Sequence, residues 1–115
     1  HCIPCEGGGS PFTEREENFF QKEIPSWNID RSETHKIIRE FTHKDFKDAM
    51  VFVNQIADIA EEEGHHPNIY IFYNKVRIEL HTHALCSLSE NDFIVAAKID
   101  QLLRTGVHKF TANIE

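Results

Sequence analysis

The longest helical pattern in this chain lies between residues 42 and 64, with a group of strand-like segments on either side of it. Thr42 is placed to be the N-cap, and Asp45 then falls at the third helical position. Phe41 and Phe46 flank this start in the manner of a hydrophobic staple. The sequence therefore predicts that a long helix begins at Thr42.

The apolar residues of this helix form two neighbouring stripes that follow helical spacing as far as Ala60. Gly64 then supplies the residue that most easily takes the left-handed conformation at a helix C-terminus. The apolar surface is wider than one sheet face requires. We therefore expect the helix to contribute also to an oligomer interface.

Two pairs of strands are predicted, one before and one after the long helix. The first pair covers residues 27–30 and 35–41, which a polar turn joins. The second pair covers residues 68–73 and 76–81, where apolar and polar residues alternate in the later segment. Asn74-Lys75 is the predicted hairpin loop, because Asn tolerates the positive φ of such turns.

Two further helices complete the pattern. Thr13 and Glu16 have the spacing of a capping box, which predicts a short helix over residues 13–22. The last helix begins with the same kind of signal and is expected to end at Gly106; its starting residues are Leu88, Ser89, Asp92 and Phe93. The order α-β-β-α-β-β-α predicts an α+β fold, a four-stranded antiparallel sheet with three helices on one face.

Composition narrows the class of partner. The 115 residues carry a net charge of −7, which argues against binding to nucleic acid or to an acidic membrane surface. The chain has no long apolar run, and its cysteines are odd in number, so we expect a cytoplasmic protein without a disulfide framework.

Residues 1–11 are expected to be a flexible arm, residues 12–104 one domain, and residues 105–115 a tail.

The chemistry is expected to involve histidines. His65 and His66 follow the long helix and precede Pro67, which restrains the backbone, so two imidazoles held there suit proton transfer near neutral pH. Asp92 has two interpretations: it caps the last helix, or it orients an imidazole and favours its charged form. His35, His43 and His108 are interpreted as ordinary solvated side chains.

A metal site is the less favoured alternative. His81 and His83 lie two apart on a predicted strand, and with His65 or His66 they would give three imidazole ligands for zinc or another transition metal. However, the sequence offers no preferred carboxylate or cysteine ligand beside them. Cys2 and Cys5 have the spacing of half a zinc knuckle, without a second half.

The spacing of several residues resembles the signature of the pterin-4a-carbinolamine dehydratases. The matching positions are Glu61, His65-His66-Pro67, Tyr73, Thr82-His83 and Asp92. The resemblance covers roughly residues 12–103. It departs from many family members at Ile69 and Ile71, where they carry a tryptophan and an asparagine.

The resemblance implies dehydration of 4a-hydroxytetrahydropterin to quinonoid dihydropterin, which recycles the cofactor of aromatic amino acid hydroxylases, with no metal or organic cofactor. It implies that His65 and His83 are acid/base candidates and that His66 binds the pterin and assists proton transfer. It assigns Glu61, Tyr73 and Thr82 to the substrate site, Thr82 through contact with the pterin ring, and it assigns Asp92 to orienting or charging a histidine. A homodimer or homotetramer is expected.

Two other functions stay open. Animal members of the family also act as dimerisation cofactors for a homeodomain transcription factor, so this chain is alternatively a protein-binding module that uses its helical surface. A third possibility is an enzyme that acts on a different pterin-like substrate, for which the histidines would still be needed.

Overall fold

The computed structural model describes residues 12–82 and 87–105, which form three helices and four strands. In chain order the elements are α1 (Glu14–Gln21), β1 (Asn28–Asp30), β2 (Lys36–Thr42), α2 (Phe46–Glu63), β3 (Asn68–Phe72), β4 (Lys75–Leu80) and α3 (Glu90–Thr105). The strands pair antiparallel in the order β1-β2-β4-β3. The predicted α+β architecture and element order are therefore confirmed. The predicted arm, the helix end at Gly106, residues 106–115 of the predicted tail, which include His108, and the three cysteines lie outside the described residues.

The core lies between the sheet and the helices. Val76, Ile78 and Leu80 alternate along β4 and are completely buried, whereas Arg77 and Glu79 point to the opposite face. The buried row packs in one cluster with side chains of α2 and α3, among them Phe52, Ile56, Val95 and Ile99. Because β4 is a central strand of the sheet, its C-terminal end delivers the chain directly beside this core.

The predicted N-terminal cap is confirmed for α1 but not for α2. The capping box of Thr13 and Glu16 is present. The predicted N-cap of α2 was wrong, because the β2–β4 ladder extends to Thr42, which pairs with Lys75. The chain is still extended at Asp45, and this residue is the N-cap: its carboxylate accepts from the backbone N–H of Asp48 at 2.8 Å. The predicted staple is thereby also wrong, since Phe46 is the first helical residue and is half exposed.

The hairpin between β3 and β4 turns one residue earlier than predicted. Phe72 pairs with Lys75, so the loop is Tyr73-Asn74, and Tyr73 takes the positive φ of 55°. Asn74 is used differently. Its side chain donates to the carbonyl of His43 at 2.9 Å, and its own carbonyl accepts from the backbone N–H of His43 at 2.7 Å. These two bonds fix the hairpin to the end of β2.

Buried carboxylates connect α1 to the loop between β1 and β2, and α3 to the sheet. Glu17 is fully buried and accepts from Arg31 and pairs with His35, both at 2.8 Å. The interpretation of His35 as merely solvated was therefore wrong, because its ring meets a carboxylate from a distant helix. Asp100 likewise accepts from Trp27 at 2.9 Å and from Arg39 at 2.8 Å. His43 is also not simply solvated: it is half-buried, with its ring 4.8 Å from that of Phe52.

None of the described helices is long and apolar enough to cross a membrane.

Candidate active site

The candidate site begins where α2 ends. Gly64 has φ 65°, the left-handed conformation predicted for it, and its N–H donates to the carbonyl of Ala60. The N–H of His65 also donates to that carbonyl, at 3.2 Å. A residue with a Cβ would be strained at Gly64, so this glycine lets the chain reverse sharply and places two histidines directly after the helix.

The two histidines face opposite environments. His65 is 3% exposed, whereas His66 lies on the surface. Pro67 favours an extended backbone for His66, and neighbouring residues in extended chain point to opposite sides. The sequence predicted a pair of imidazoles in one short loop; the structure separates them into one buried and one exposed side chain.

His65 forms a buried pair with Asp92. The distance from Nε2 of His65 to Oδ1 of Asp92 is 2.5 Å, and the carboxylate has no exposed surface. Asp92 lies in the first turn of α3 and His65 directly follows the last turn of α2. A carboxylate at a helix N-terminus interacts favourably with the helix dipole, and an imidazole N–H can donate to it. The packing of α2 against α3 thus brings complementary groups together.

The second oxygen of Asp92 is held by two donors. Oδ2 accepts from the backbone N–H of Ser89 and from the hydroxyl of Thr82, each at 2.9 Å. The hydroxyls of Thr82 and Ser89 are 2.7 Å apart, and all three residues are buried. The bond from Ser89 is the reciprocal half of a capping box. Asp92 therefore caps α3, as one interpretation predicted, and it also contacts the imidazole of His65.

The exposed histidine has its own carboxylate. Nε2 of His66 lies 2.6 Å from Oε2 of Glu61, with 60% of the imidazole side chain and 77% of the carboxylate side chain exposed. Glu61 belongs to the last turn of α2, so this pair lies beside the buried one on the same helix end. The arrangement can offer one imidazole to solvent and hold another in a dry, hydrogen-bonded site.

Comparison with known proteins decides the family. The model for the family described as pterin 4 alpha carbinolamine dehydratase matches residues 10–102. This chain belongs to the pterin-4a-carbinolamine dehydratase family. A protein from Nitrosospira multiformis, named "Putative pterin-4-alpha-carbinolamine dehydratase", is 44% identical over 104 residues, which are 90% of this chain and 88% of that protein.

Two solved structures support the same assignment. One, described as a transcriptional coactivator/pterin dehydratase from Brucella melitensis, has a TM-score of 0.76 at 32% identity and covers 81% of this chain and 98% of its own. The other, a pterin dehydratase-like protein described as a RuBisCO assembly factor of the alpha-carboxysome, has a TM-score of 0.58 at 27% identity. It covers 67% of this chain and 88% of its own chain. The fold of this family thus carries more than one described role.

Five of the family signature residues form two groups in this structure, and Tyr73 lies apart from both. The buried group contains His65, Asp92 and Thr82, and the exposed group contains His66 and Glu61. Tyr73 is in neither, because it lies in the hairpin turn at the far end of β4, which is about 17 Å long. The substrate role predicted for Tyr73 stays a prediction. His83 lies outside the described residues.

Several residues near the site have a different position or role in the structure from the one that the sequence predicted. β4 ends at Leu80, so His81 is not on a strand as predicted, and Thr82 instead forms an isolated bridge with Ser87. Within residues 12–82 and 87–105, no three His, Cys, Asp or Glu side chains are grouped so that they could hold a metal ion. The hydroxyl of Ser89 was not expected to take part at all. Its only sequence signal was its position three residues before Asp92.

A surface ion pair braces the same two helices. Nζ of Lys98 on α3 is 2.5 Å from Oε2 of Glu63, the last residue of α2. The hydrogen bond from Lys98 to Glu63 raises the pKa of the Lys98 ammonium above its usual value of 10.5. Because Glu63 directly precedes Gly64, this bond holds the end of α2 against α3 at the point where the histidines begin.

Proposed function

We propose that this protein dehydrates 4a-hydroxytetrahydropterin to quinonoid dihydropterin by acid/base catalysis with histidine side chains. The observation that carries the proposal is the buried pair of His65 and Asp92, next to the exposed pair of His66 and Glu61, in a chain of this family. Both histidines occupy positions of the family signature. The proposal includes the recycling role, in which the substrate comes from an aromatic amino acid hydroxylase.

The reaction requires two proton transfers, one to the substrate and one from it, so the number of protons on the enzyme does not change overall. A proton must reach the hydroxyl on C4a so that it leaves as water, and a proton must be removed from N5 as the new double bond forms. An imidazole can serve as the acid in its charged form and as the base in its neutral form. Histidine side chains alone can therefore supply the chemistry, and the enzyme regains its starting protonation once the two protons have been exchanged.

We assign different roles to the buried histidine and to the exposed one. His65 acts on the leaving hydroxyl, because a dry site strengthens hydrogen bonds to the transition state. The family signature adds His83 as a second acid/base candidate for this step. His66 binds the pterin and assists proton transfer at the surface, and Glu61 shapes the entrance beside it. Asp92 orients His65 through the 2.5 Å contact with Nε2.

A protein-binding role remains the second candidate. The Brucella melitensis protein is described as a coactivator as well as a dehydratase. In this chain Phe46, which belongs to the predicted apolar surface of α2, is 49% exposed, and Val51 on the same helix is 42% exposed. Apolar surface of α2 thus stays available for a partner or for a second copy of the chain. We favour self-association into a dimer or tetramer as the use of this surface.

The enzyme proposal is tested by the rate of quinonoid dihydropterin formation from 4a-hydroxytetrahydropterin generated in the assay. We expect His65→Ala to lose most of the rate above the spontaneous background. His43→Ala is the matched control, since His43 is a half-buried histidine at the other end of α2, which is about 27 Å long. A wild-type rate no higher than the spontaneous rate would refute the enzyme and leave the protein-binding candidate.

A further inference from the structure

We propose that Thr82 and Ser89 are positioning residues: they hold the Asp92 carboxylate in the orientation in which it fixes the tautomer of His65. This inference rests on the proposed function for its catalytic meaning, but its structural part concerns only four side chains and one backbone N–H. Neither hydroxyl needs to touch the substrate. The role differs from the one that the family resemblance implied for Thr82, which was direct contact with the pterin.

The direction of each hydrogen bond in this group follows from counting protons. Each hydroxyl has one proton to donate, and the Thr82 proton is directed to Oδ2 of Asp92 at 2.9 Å. The 2.7 Å contact between the two hydroxyls must then use the proton of Ser89. The hydrogen bonds therefore run in one direction, from Ser89 to Thr82 and from Thr82 to Asp92.

The carboxylate, held in this orientation, sets the tautomer of the histidine. Oδ2 already receives two donors, from Thr82 and from the backbone N–H of Ser89. An ionised carboxylate only accepts hydrogen bonds, so Nε2 of His65 must carry a proton in order to bond to Oδ1. In the neutral ring the lone pair then resides on Nδ1. The group thus selects which ring nitrogen exchanges a proton during the reaction.

The burial of these residues makes the arrangement hard to replace. Thr82 and Asp92 have no exposed surface, and Ser89 is 5% exposed. Water therefore has little access to supply a substitute donor, and a buried polar atom that loses its partner keeps its full desolvation cost. Removing one hydroxyl should disturb the orientation of Asp92 rather than the fold as a whole.

The first experiment is Asp92→Asn, with the His65 tautomer measured from the ¹⁵N chemical shifts of its ring. Two donors point at the Oδ2 position, so the amide oxygen must occupy it and the amide NH₂ must face Nε2. His65 must then accept at Nε2, and we expect its tautomer to change from Nε2–H in the wild type to Nδ1–H in the variant. An unchanged Nε2–H tautomer in Asp92→Asn would overturn the proposal.

The second experiment keeps the proposal testable if Asp92→Asn does not fold. Thr82→Val removes the hydroxyl at nearly constant volume, and Thr82→Ser restores it. For Thr82→Val we expect kcat to fall roughly tenfold to a hundredfold while KM stays unchanged, with recovery in Thr82→Ser. A raised KM at unchanged kcat would instead assign Thr82 to substrate contact and overturn the positioning role.

The two experiments also separate this inference from the proposed function. If the wild-type protein shows no dehydratase activity, the tautomer measurement still decides whether the hydrogen bonds run as described. If activity is present but the tautomer does not change in Asp92→Asn, the dehydratase proposal stands and the positioning role of Thr82 and Ser89 falls.

Discussion

Two adjacent histidines in this protein each meet a carboxylate, and the two pairs differ in almost every physical respect. The pair of His65 and Asp92 is buried, whereas the pair of His66 and Glu61 is more than half exposed. The buried pair is supported by two further donors from Thr82 and Ser89. The distance from imidazole nitrogen to carboxylate oxygen is 2.5 Å in the buried pair and 2.6 Å in the exposed one. These similar distances therefore do not imply similar energies or roles.

The difference in energy between the two pairs comes from their exposure to water. Water screens the charges of an exposed pair and competes for its hydrogen bonds, so such a pair typically contributes between zero and about 1 kcal/mol. A buried pair has lost its hydration, and removal of one partner leaves the other uncompensated at a cost of about 3–5 kcal/mol. The buried pair should therefore control both activity and stability, and the exposed pair should mainly tune substrate binding.

The largest effect is expected from Asp92→Asn. An imidazole held in the wrong tautomer cannot exchange the proton that the reaction requires, and we expect kcat to fall between roughly 10² and 10⁴-fold. Steady-state assays of quinonoid dihydropterin formation measure this fall in kcat. The matched control is Asp100→Asn: Asp100 is also a buried, hydrogen-bonded aspartate of α3, about 12 Å further along the helix. Equal losses in the two variants would show that Asp92 acts through general stability.

Next in size is the difference in stability between His65→Ala and His66→Ala. We expect the free energy of unfolding to fall by about 3 kcal/mol for His65→Ala, because Asp92 is left buried without its imidazole, and by less than about 1 kcal/mol for His66→Ala. Denaturant titration at pH 7 gives both values. Comparable losses would break the distinction between the two pairs.

A smaller effect is expected in the salt dependence of the exposed pair. In a double-mutant cycle of Glu61→Gln and His66→Gln, the coupling free energy should be below about 1 kcal/mol and should shrink towards zero at 1 M salt, where the Debye length is about 3 Å. Chemical denaturation in urea at two salt concentrations measures the coupling. A large coupling that survives high salt would mean that the exposed pair behaves like the buried one.

The smallest effect concerns Lys98, which braces the two helices beside both pairs. The pKa of Lys98 is raised by its bond to Glu63, so its contribution to stability is fully present below pH 10.5 and is lost as the pH rises through the folded-state value. The stability difference between wild type and Lys98→Met should therefore disappear at high pH. A difference that stays constant from pH 8 to pH 11.5 would contradict the role of the ammonium charge.

The sequence predicted the secondary structure well because helix caps and strand alternation are local signals. The capping box at Thr13 and the glycine at Gly64 depend on residues within one turn, and both are confirmed. The errors were one to three residues long and had a non-local cause. β2 continues to Thr42 because it pairs there with β4, so the N-cap of α2 is Asp45 instead of Thr42.

The site was predictable only in part. The spacing of the family signature pointed to His65, His66 and Asp92. However, the burial of one histidine and the exposure of the next depend on how α3 packs against α2. The partners of Glu17 and Asp100 were missed for the same reason, since Asp100 meets Trp27 and Arg39 across separations of 73 and 61 residues. Such contacts leave no periodic pattern in the chain.

The most direct test of the account compares four proteins in one assay of quinonoid dihydropterin formation: wild type, His65→Ala, His66→Ala and His83→Ala, with a parallel set that contains a chelator. We predict a wild-type rate above the spontaneous reaction that survives the chelator, a near-complete loss in His65→Ala, and a smaller loss in His66→Ala. Wild-type activity that His65→Ala retains in full would contradict the claim that the buried histidine performs the chemistry.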